Sequence, residues 1–501
     1  MKGDFSRLTF NSKKHFSKVM MQQGRVQLDA DWNEQVAMQT HFLRTLARDI
    51  IGDHGGPADA CGFKIIGTQT QVDKNWPSET KKEEHKSFTK LLTDKIILIG
   101  PGHYYVDGIL CENEQWLGYN DQPDYPLDSP CNEECKGINT CGTISDIEDL
   151  KDHLLYLDVW ERHISCVEDP ELLEAALVGP DTTSRSRIVW QVKIHEIDKD
   201  TYDPSFPCES IKQIKNQCPE PRLKVRTDIP KKTEKGPCLI KPDARYLGLE
   251  NQLYRIEIHK PGTAKDATFK WSKDNGSVIF PIISGTISIN EGKTVVSLEH
   301  IGKDDRFTLK EGCYVELVHD DYVLLNRADP LMKVEKVDKK TMQATLIGVP
   351  VISSPDTNSA FKHPYLRLWN QTDAGKKGTA LVQGAVQVLE GAGKLNWLSL
   401  ENGIQIQFQK STKKDDKGKL IENYYKTGDY WLIPARVSTG DVEWPKVGAE
   451  PEARPAFGIK HHYAPLAVIT SDESGEAETL NVTDCRNCIQ QAGLCPDTNV
   501  K

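Results

Sequence analysis

Asp29 and Asp31 are the first side chains in the chain whose types and spacing could do chemistry. They lie in the stretch GRVQLDADWNEQ, residues 24–35, where two carboxylates beside an indole could form an acid–base site. The spacing also fits the start of a helix, because Asp31 precedes Glu34 by three residues, as in a capping box with Asp as the cap. We favour the helix cap for Asp31. Asp29 has no partner that the sequence reveals.

Two other groups of side chains are candidates for catalysis or metal binding. His461 and His462 are adjacent, but neighbours on a strand point to opposite faces and would rarely bind one metal. Asp158 and Glu161, in LDVWER, are three residues apart, which on a strand also separates their faces. The sequence has no glycine-rich phosphate loop, no HExxH and no GxSxG motif. It therefore predicts no catalytic residue and no cofactor.

Cysteine is the remaining residue type that could hold a metal. The chain has 13 cysteines, an odd number, so they cannot all pair within one chain. The motif CRNC has the CxxC spacing that tetrahedral zinc favours, but a second such pair is missing. Reduced or bridged thiols are the favoured interpretation, and a metal site is the alternative. The two clusters are Cys131, Cys135 and Cys141, and Cys485, Cys488 and Cys495.

The composition is that of a chain with several globular domains. Its 501 residues suggest about three to four domains, and 38% hydrophobic with 27% charged residues is a globular composition. No apolar run approaches the roughly 18 residues that span a bilayer, and MKGDFSRLTF lacks the apolar core of a secretory signal. The net charge of −10, without a basic face, argues against nucleic acid as a partner. We expect synthesis in the cytoplasm without a signal peptide, and no membrane insertion.

One long helix is the strongest local signal. After Asp31, apolar residues recur at helical spacing as far as Ile50, and Gly52 stands where the pattern ends. The sequence therefore predicts a helix over residues 32–51 that follows an extended N-terminal arm. Because an apolar stripe needs a covering surface, we expect it to dock on a neighbouring subunit. The candidate interface residues are Val26, Leu28, Trp32, Val36, Phe42, Leu43, Leu46 and Ile50.

The rest of the chain is rich in short strand patterns. The predicted fold class is mainly β (α+β), with several small β-barrel or sandwich modules and one long N-terminal helix. Asn275-Gly276 predicts a hairpin turn, and the closely spaced strands of 285–350 predict a small barrel or sandwich. The predicted units are an arm and docking helix (1–60), a β-rich domain with a cysteine-containing loop (61–200), a long excursion or linker (201–250), hairpins and a small barrel (251–355), a C-terminal β-rich domain (356–484) and a cysteine-containing tail (485–501).

Ten tryptophans support a second hypothesis. Most lie in strand patterns and are predicted to fill the core, but Trp76 and Trp444 stand beside prolines in polar loops and are predicted to be exposed. Exposed rings could stack on sugars, so a carbohydrate-binding or cell-surface-recognition module is the alternative function. A glycosidase-type spike enzyme is a further alternative. With 73 acidic residues, however, any choice of a catalytic carboxylate pair is arbitrary.

Motifs that span nearly the whole chain resemble one family of uncharacterised biochemical activity, which is encoded in bacterial contractile injection system clusters. These clusters build phage-tail-like particles with a sheath, tube, baseplate and spike. The tail CRNCIQQAGLC departs from the more apolar ending that the resemblance leads us to expect. The motifs are MKGDFSRLTF, MMQQGRVQLDADWNEQ, FLRTLARDIIGDHGGPAD, GHYYVDGILCENE, YLDVWERHI, RIVWQVK, ATFKWSKDNGSV and HHYAPLAVI.

The resemblance implies a structural component and not an enzyme. It implies a place in the baseplate region, in a cage or shield around the spike. The implied partners are other copies of the chain, in a three- or six-fold ring or cage, and the baseplate and spike proteins of the particle. A protein of this kind is made in the bacterial cytoplasm and belongs to a particle that can be released from the cell. No catalytic residues are carried over from the family.

Overall fold

The protein is described by a computed structural model that covers residues 1–126, 151–177, 181–214, 220–227, 245–302, 304, 306–351, 362–372, 381–414, 418–472 and 479–490. The first cysteine cluster and Cys495 lie outside these residues. The structure is mostly β, with 37% strand and 17% helix, which confirms the predicted fold class. The described α-helices are α1 Asp29–Ile51, α2 Gln69–Asn75, α3 Lys82–Lys95, α4 Ile211–Ile214 and α5 Asp320–Leu324.

Helix α1 begins three residues earlier than predicted. Leu28 is its N-cap, and the Asp31 carboxylate accepts a hydrogen bond from the Leu28 backbone N–H at 3.2 Å. Asp31 is thus a capping residue, but it acts from the third helical position and not at the cap itself. Gly52 ends the helix with a φ of 94°, a conformation that favours glycine.

Helices α2 and α3 lie where sequence reasoning assigned only strands. The Gln71 side chain accepts a hydrogen bond from the Thr68 backbone N–H at 3.1 Å and so caps α2. Trp76 follows α2 and stacks on Phe88 of α3, with 3.7 Å between the ring centroids. The two helices thereby close a small apolar cluster that also contains Trp116.

The strands are numbered in chain order. The chain up to residue 350 contributes β1 His54–Pro57, β2 Ile65–Ile66, β3 Leu98–Ile99, β4 Gly102–Val106, β5 Ile109–Asn113, β6 Leu117–Gly118, β7 His153–Ile164, β8 Arg185–Glu196, β9 Arg222–Thr227, β10 Gln252–Ile258, β11 Thr268–Ser272, β12 Ile279–Pro281, β13 Ser288–Asn290, β14 Lys293–Ser297, β15 Tyr314–Val318, β16 Met332–Asp338 and β17 Gln343–Ile347. The C-terminal part contributes β18 Tyr365–Trp369, β19 Leu381–Val382, β20 Ala385–Gln387, β21 Glu390–Gly391, β22 Leu398–Ser399, β23 Ile404–Gln409, β24 Tyr430–Arg436, β25 Asp441–Val442, β26 Lys446–Val447, β27 Glu450–Pro451, β28 Arg454–Pro455, β29 His462–Asp472, β30 Thr479–Asp484 and β31 Cys488–Ile489.

Strands that are far apart in sequence share sheets. Strand β7 pairs with both β8 and β29, and β9, from the segment predicted to be a linker, pairs with β23. The C-terminal strand β31 runs parallel to β1 beside the end of α1. The sheet orders are β31-β1-β4-β5, β19-β20-β11-β10-β24-β25, β12-β18-β15-β16-β17-β14-β13, β2-β3-β6, β21-β23-β9-β28 with β22 on β23, β26-β27 and β30-β29-β7-β8.

The seven-stranded sheet contains the region predicted to be a small barrel. Ile282 and Leu298 form an antiparallel bridge between the segments that follow β12 and β14, but no closed barrel is found among the described residues. The turn at Asn275-Gly276 forms, with positive φ at both residues. The predicted hairpin is wrong, because β11 pairs with β10 and β20, whereas β12 pairs with β18. The turn therefore carries the chain from one sheet to the next.

A buried ion network ties the arm to these two sheets. Glu257 of β10 binds the Arg255 guanidinium at 2.5 Å and the Lys2 ammonium at 3.0 Å. Lys270 of β11 reaches Glu316 of β15 at 2.5 Å. Burial raises the pKa of Glu316, but Lys270 and Lys2 outweigh it and lower that pKa to about 2. The start of the chain is thus held inside the body.

Candidate functional site

Helix α1 rests on the body along one side. Ala30 and Met38 are the buried residues of this helix, all of which the structure describes. The Arg44 carbonyl oxygen lies so close to Gly108, in the β4–β5 turn, that an added Cβ would be 2.2 Å away. The Arg44 guanidinium donates to the Glu161 carboxylate of β7 at 2.6 Å. These contacts hold α1 beside β4, β5 and β7.

The N-terminal arm, residues 1–28, covers a second side of α1. The Ser6 backbone N–H donates to the Asp29 carboxylate at 2.8 Å, and the Val19 backbone N–H donates to the Gln35 side-chain oxygen at 2.7 Å. Burial raises the pKa of Asp29, but the hydrogen bonds from Ser6 lower it overall. Asp29 therefore binds the arm as an ionised carboxylate, a partner that sequence reasoning did not find.

All eight predicted interface residues are exposed, on the outer side of α1 or just before it. Trp32 is 63% exposed, Phe42 65% and Ile50 73%. Single exposed apolar residues are common on protein surfaces, but a contiguous apolar patch marks a site of interaction. We call this set the α1 stripe: Val26, Leu28, Trp32, Val36, Phe42, Leu43, Leu46 and Ile50.

Six exposed positions of α1 are more regularly spaced along the helix than the α1 stripe as a whole. Their separations are four, three, four, three and four residues, which is the alternating spacing of the a and d positions of a heptad. The sequence contains this signal, but reasoning from the helical period alone left Gln39 out of the interface candidates. We call these six positions the seam: Trp32, Val36, Gln39, Leu43, Leu46 and Ile50.

Asp158 and Glu161 face opposite sides of β7, as predicted. Asp158 is buried, accepts a hydrogen bond from the Lys193 ammonium at 2.7 Å and lies 2.8 Å from His461 Nδ1. Burial raises the pKa of Asp158, but His461 and Lys193 lower it to about 2. A carboxylate held ionised in this way stabilises the fold and is poorly suited to transfer protons near neutral pH.

The two adjacent histidines also diverge, as predicted. His461 points to Asp158, whereas His462 Nδ1 lies 2.7 Å from the Asp107 carboxylate. Within the part of the chain that the structure describes, no group of three or more His, Cys, Asp and Glu side chains could hold a metal ion. None of the described helices is both long enough and apolar enough to span a membrane.

Cys485 and Cys488, weighed as metal ligands, are both in disulfides. Cys208 pairs with Cys485 and Cys61 pairs with Cys488, across 277 and 427 residues of sequence. Zinc binds the thiolate, which a disulfide sulfur does not offer. For these two residues the structure therefore shows disulfide bonds and contradicts the alternative of a metal site.

The prediction that Trp76 and Trp444 are exposed is wrong. Both are only partly exposed, because Trp76 stacks on Phe88 and the Trp444 indole N–H donates to the Glu452 carbonyl oxygen at 2.9 Å. Of the ten tryptophans, all of which the structure describes, Trp32 in the α1 stripe is the exposed one.

The fold and this surface define a mainly β protein with one apolar helix face turned outward. The chain belongs to the family of unknown function DUF6519, which matches residues 1–203 and 195–494. This match does not link the family to contractile injection systems. No curated protein matches the chain, and no solved structure matches it.

Proposed function

We propose that the chain is a structural subunit, and not an enzyme, of a phage-tail-like contractile injection system. Copies of it form a cage or shield around the spike in the baseplate region, as a three- or six-fold ring or cage. Its other partners are baseplate and spike proteins. The subunit is made in the bacterial cytoplasm and leaves the cell as part of a released particle.

The exposed α1 stripe is the observation that carries this proposal. Six of its members lie on the helix and are 44–73% exposed, so burying what remains exposed of each would contribute roughly 1–2 kcal/mol, or about 5–10 kcal/mol together. Association itself costs an estimated 4–15 kcal/mol. A single contact is therefore weak to moderate, whereas repeated contacts that close a ring hold each subunit more than once.

The charged side chains that could have been catalytic support the same proposal. Asp158 is paired with Lys193 and His461, and Glu161 anchors α1 through Arg44. These charged pairs therefore stabilise the fold and hold α1 against the body.

Particles from cells that have or lack this chain test the proposal. We expect the wild-type chain to pellet with sheath and tube proteins, and electron microscopy to show density near the spike that disappears when the chain is deleted. Complementation with Leu43→Glu/Leu46→Glu should fail to restore that density, whereas Leu249→Glu, which changes a residue that is 91% exposed elsewhere, should restore it. Recovery of the chain only as free protein, with unchanged particles, would overturn the proposal.

A further inference from the structure

The seam has the geometry of a surface that receives another helix. Its alternating spacing of four and three residues runs unbroken from Trp32 to Ile50, over about five turns or about 27 Å. Side chains with this spacing lie along one narrow face, and two such helices can pack along it with their side chains interlocked, whereas a helix in a globular core buries a wider stripe.

The contacts that α1 makes within its own chain leave the seam free to receive another helix. Arg44 contacts the body, Ala30 and Met38 are buried, and Glu34 and Gln35 bind the arm. The six seam positions are all exposed between these two contacts. The body and the arm therefore fix the orientation of α1 and turn its seam outward.

The charge pattern points to a second copy of the same helix. In a parallel coiled coil, the positions that flank the seam would bring Gln35 against Thr40 and Phe42 against Ala47. None of these four is charged, so identical helices meet without repulsion between like charges. Asp49, the one charged flanking residue between Trp32 and Ile50, has its partner position beyond the end of the helix.

Gln39 determines the direction of pairing. In a parallel arrangement Gln39 meets Gln39, and the two amides can hydrogen-bond with each other. In an antiparallel arrangement of the same six layers, Gln39 meets Leu43 and its amide is buried without a partner, which is unfavourable. The parallel register is the one that satisfies this polar group.

We infer that α1 pairs in parallel and in register with α1 of further copies, and that the seam is the core of this coiled coil. The inference rests on the proposed function, because it names the partner of the α1 stripe inside the assembly. Each copy then presents its β-rich body outward from a shared bundle of helices.

Self-association of the purified full chain is the first test. Sedimentation velocity over a wide concentration range should show reversible oligomers, and Leu43→Glu/Leu46→Glu should weaken association at least about 100-fold, because it places carboxylates in an apolar core. The matched control Leu249→Glu should associate like wild type. Circular dichroism checks that both variants remain folded. A wild-type chain that stays monomeric, or oligomers that tolerate the seam variant, would overturn the inference.

Cysteine cross-linking tests the direction of pairing. Under mild oxidation, Gln39→Cys should cross-link to itself, and Leu249→Cys should give no product beyond that of wild type. If Gln39→Cys instead cross-links only when mixed with Leu43→Cys, the helices are antiparallel and the inference is wrong.

The same variants separate failure of the inference from failure of the proposed function. If Leu43→Glu/Leu46→Glu still enters particles with normal density near the spike, the coiled coil is refuted and the structural role stands. If the wild-type chain oligomerises through the seam but never pellets with particles, the role is refuted and the coiled coil stands.

Discussion

Gly108 sets the distance between α1 and the body, so Gly108→Ala tests how the helix is held. An alanine Cβ at this position would lie 2.2 Å from the Arg44 carbonyl oxygen, whereas ordinary van der Waals contact begins at 3.4 Å. That oxygen belongs to the helix backbone and cannot rotate away. Helix α1 must therefore retreat by about 1 Å, which weakens its contacts with the body.

Gly292 offers a closely matched control for this substitution. It has the same φ of 76°, follows a residue with the same φ of 49° and has nothing within 4 Å of a built Cβ. Alanine in this left-handed conformation costs about 1–2 kcal/mol in either turn. Only Gly108→Ala adds a steric cost, of about 1–3 kcal/mol for overpacking. The difference between the two variants isolates the contact with α1.

Hydrogen exchange of the α1 amides is the appropriate assay, because it reports the free energy of local opening. A loss of about 1–3 kcal/mol predicts about 5- to 150-fold faster exchange around Arg44 in Gly108→Ala. Gly292→Ala should leave exchange in α1 unchanged. Equal exchange in α1 for both variants would refute the claim that Gly108 positions the helix.

Three further changes test the rest of the body. Glu257→Gln leaves the buried Arg255 and Lys2 without their carboxylate, so the free energy of unfolding, measured by urea denaturation, should fall by about 3–5 kcal/mol. The control Glu443→Gln, at an exposed pair, should lower it by about 0–1 kcal/mol. Because the pKa of Glu316 is lowered from 4.5 to about 2, its stabilisation is complete above pH 4.5 and is lost as the pH falls toward 2. Glu316→Gln should therefore flatten the acid dependence of stability by about 3 kcal/mol, as measured by denaturation across this range. Cys61→Ser/Cys488→Ser should release β31 from β1, and limited proteolysis should then cleave the C-terminal segment faster than in wild type. Equal losses for Glu257→Gln and Glu443→Gln, an unchanged acid slope or unchanged cleavage would each contradict the corresponding prediction.

Local signals predicted α1 well because they agree with one another. A carboxylate in the first turn, apolar residues at helical spacing and Gly52 at the end all indicate the same helix, and only its start was displaced. Helix α2 was missed because it buries Val72 alone, and α3 buries no residue completely. Their stability comes from Trp76 and Phe88 packing across the pair, which no short window of sequence reveals.

Strand pairing is decided over distances that local patterns do not report. Asn275-Gly276 predicted its own backbone conformation correctly, but the strands on either side belong to different sheets. The Asn275 side chain donates to the Gly3 carbonyl oxygen at 3.0 Å, so this turn is shaped partly by the far end of the chain. The disulfide partners of Cys485 and Cys488 are also distant in sequence, and CxxC spacing alone does not identify them.

Pairing through the seam and the local stability of α1 on the body are energetically linked. Most helical stability in proteins comes from packing, yet of the 23 residues of α1 only Ala30 and Met38 are buried. The arm and the half-buried pair of Arg44 with Glu161 supply polar contacts, which do not replace the apolar burial that α1 lacks. The free subunit therefore holds α1 with low local stability, and pairing through the seam supplies the missing apolar burial. Assembly should slow hydrogen exchange in α1 far more than in the sheets, and equal protection of α1 in free subunits and particles would contradict this linkage.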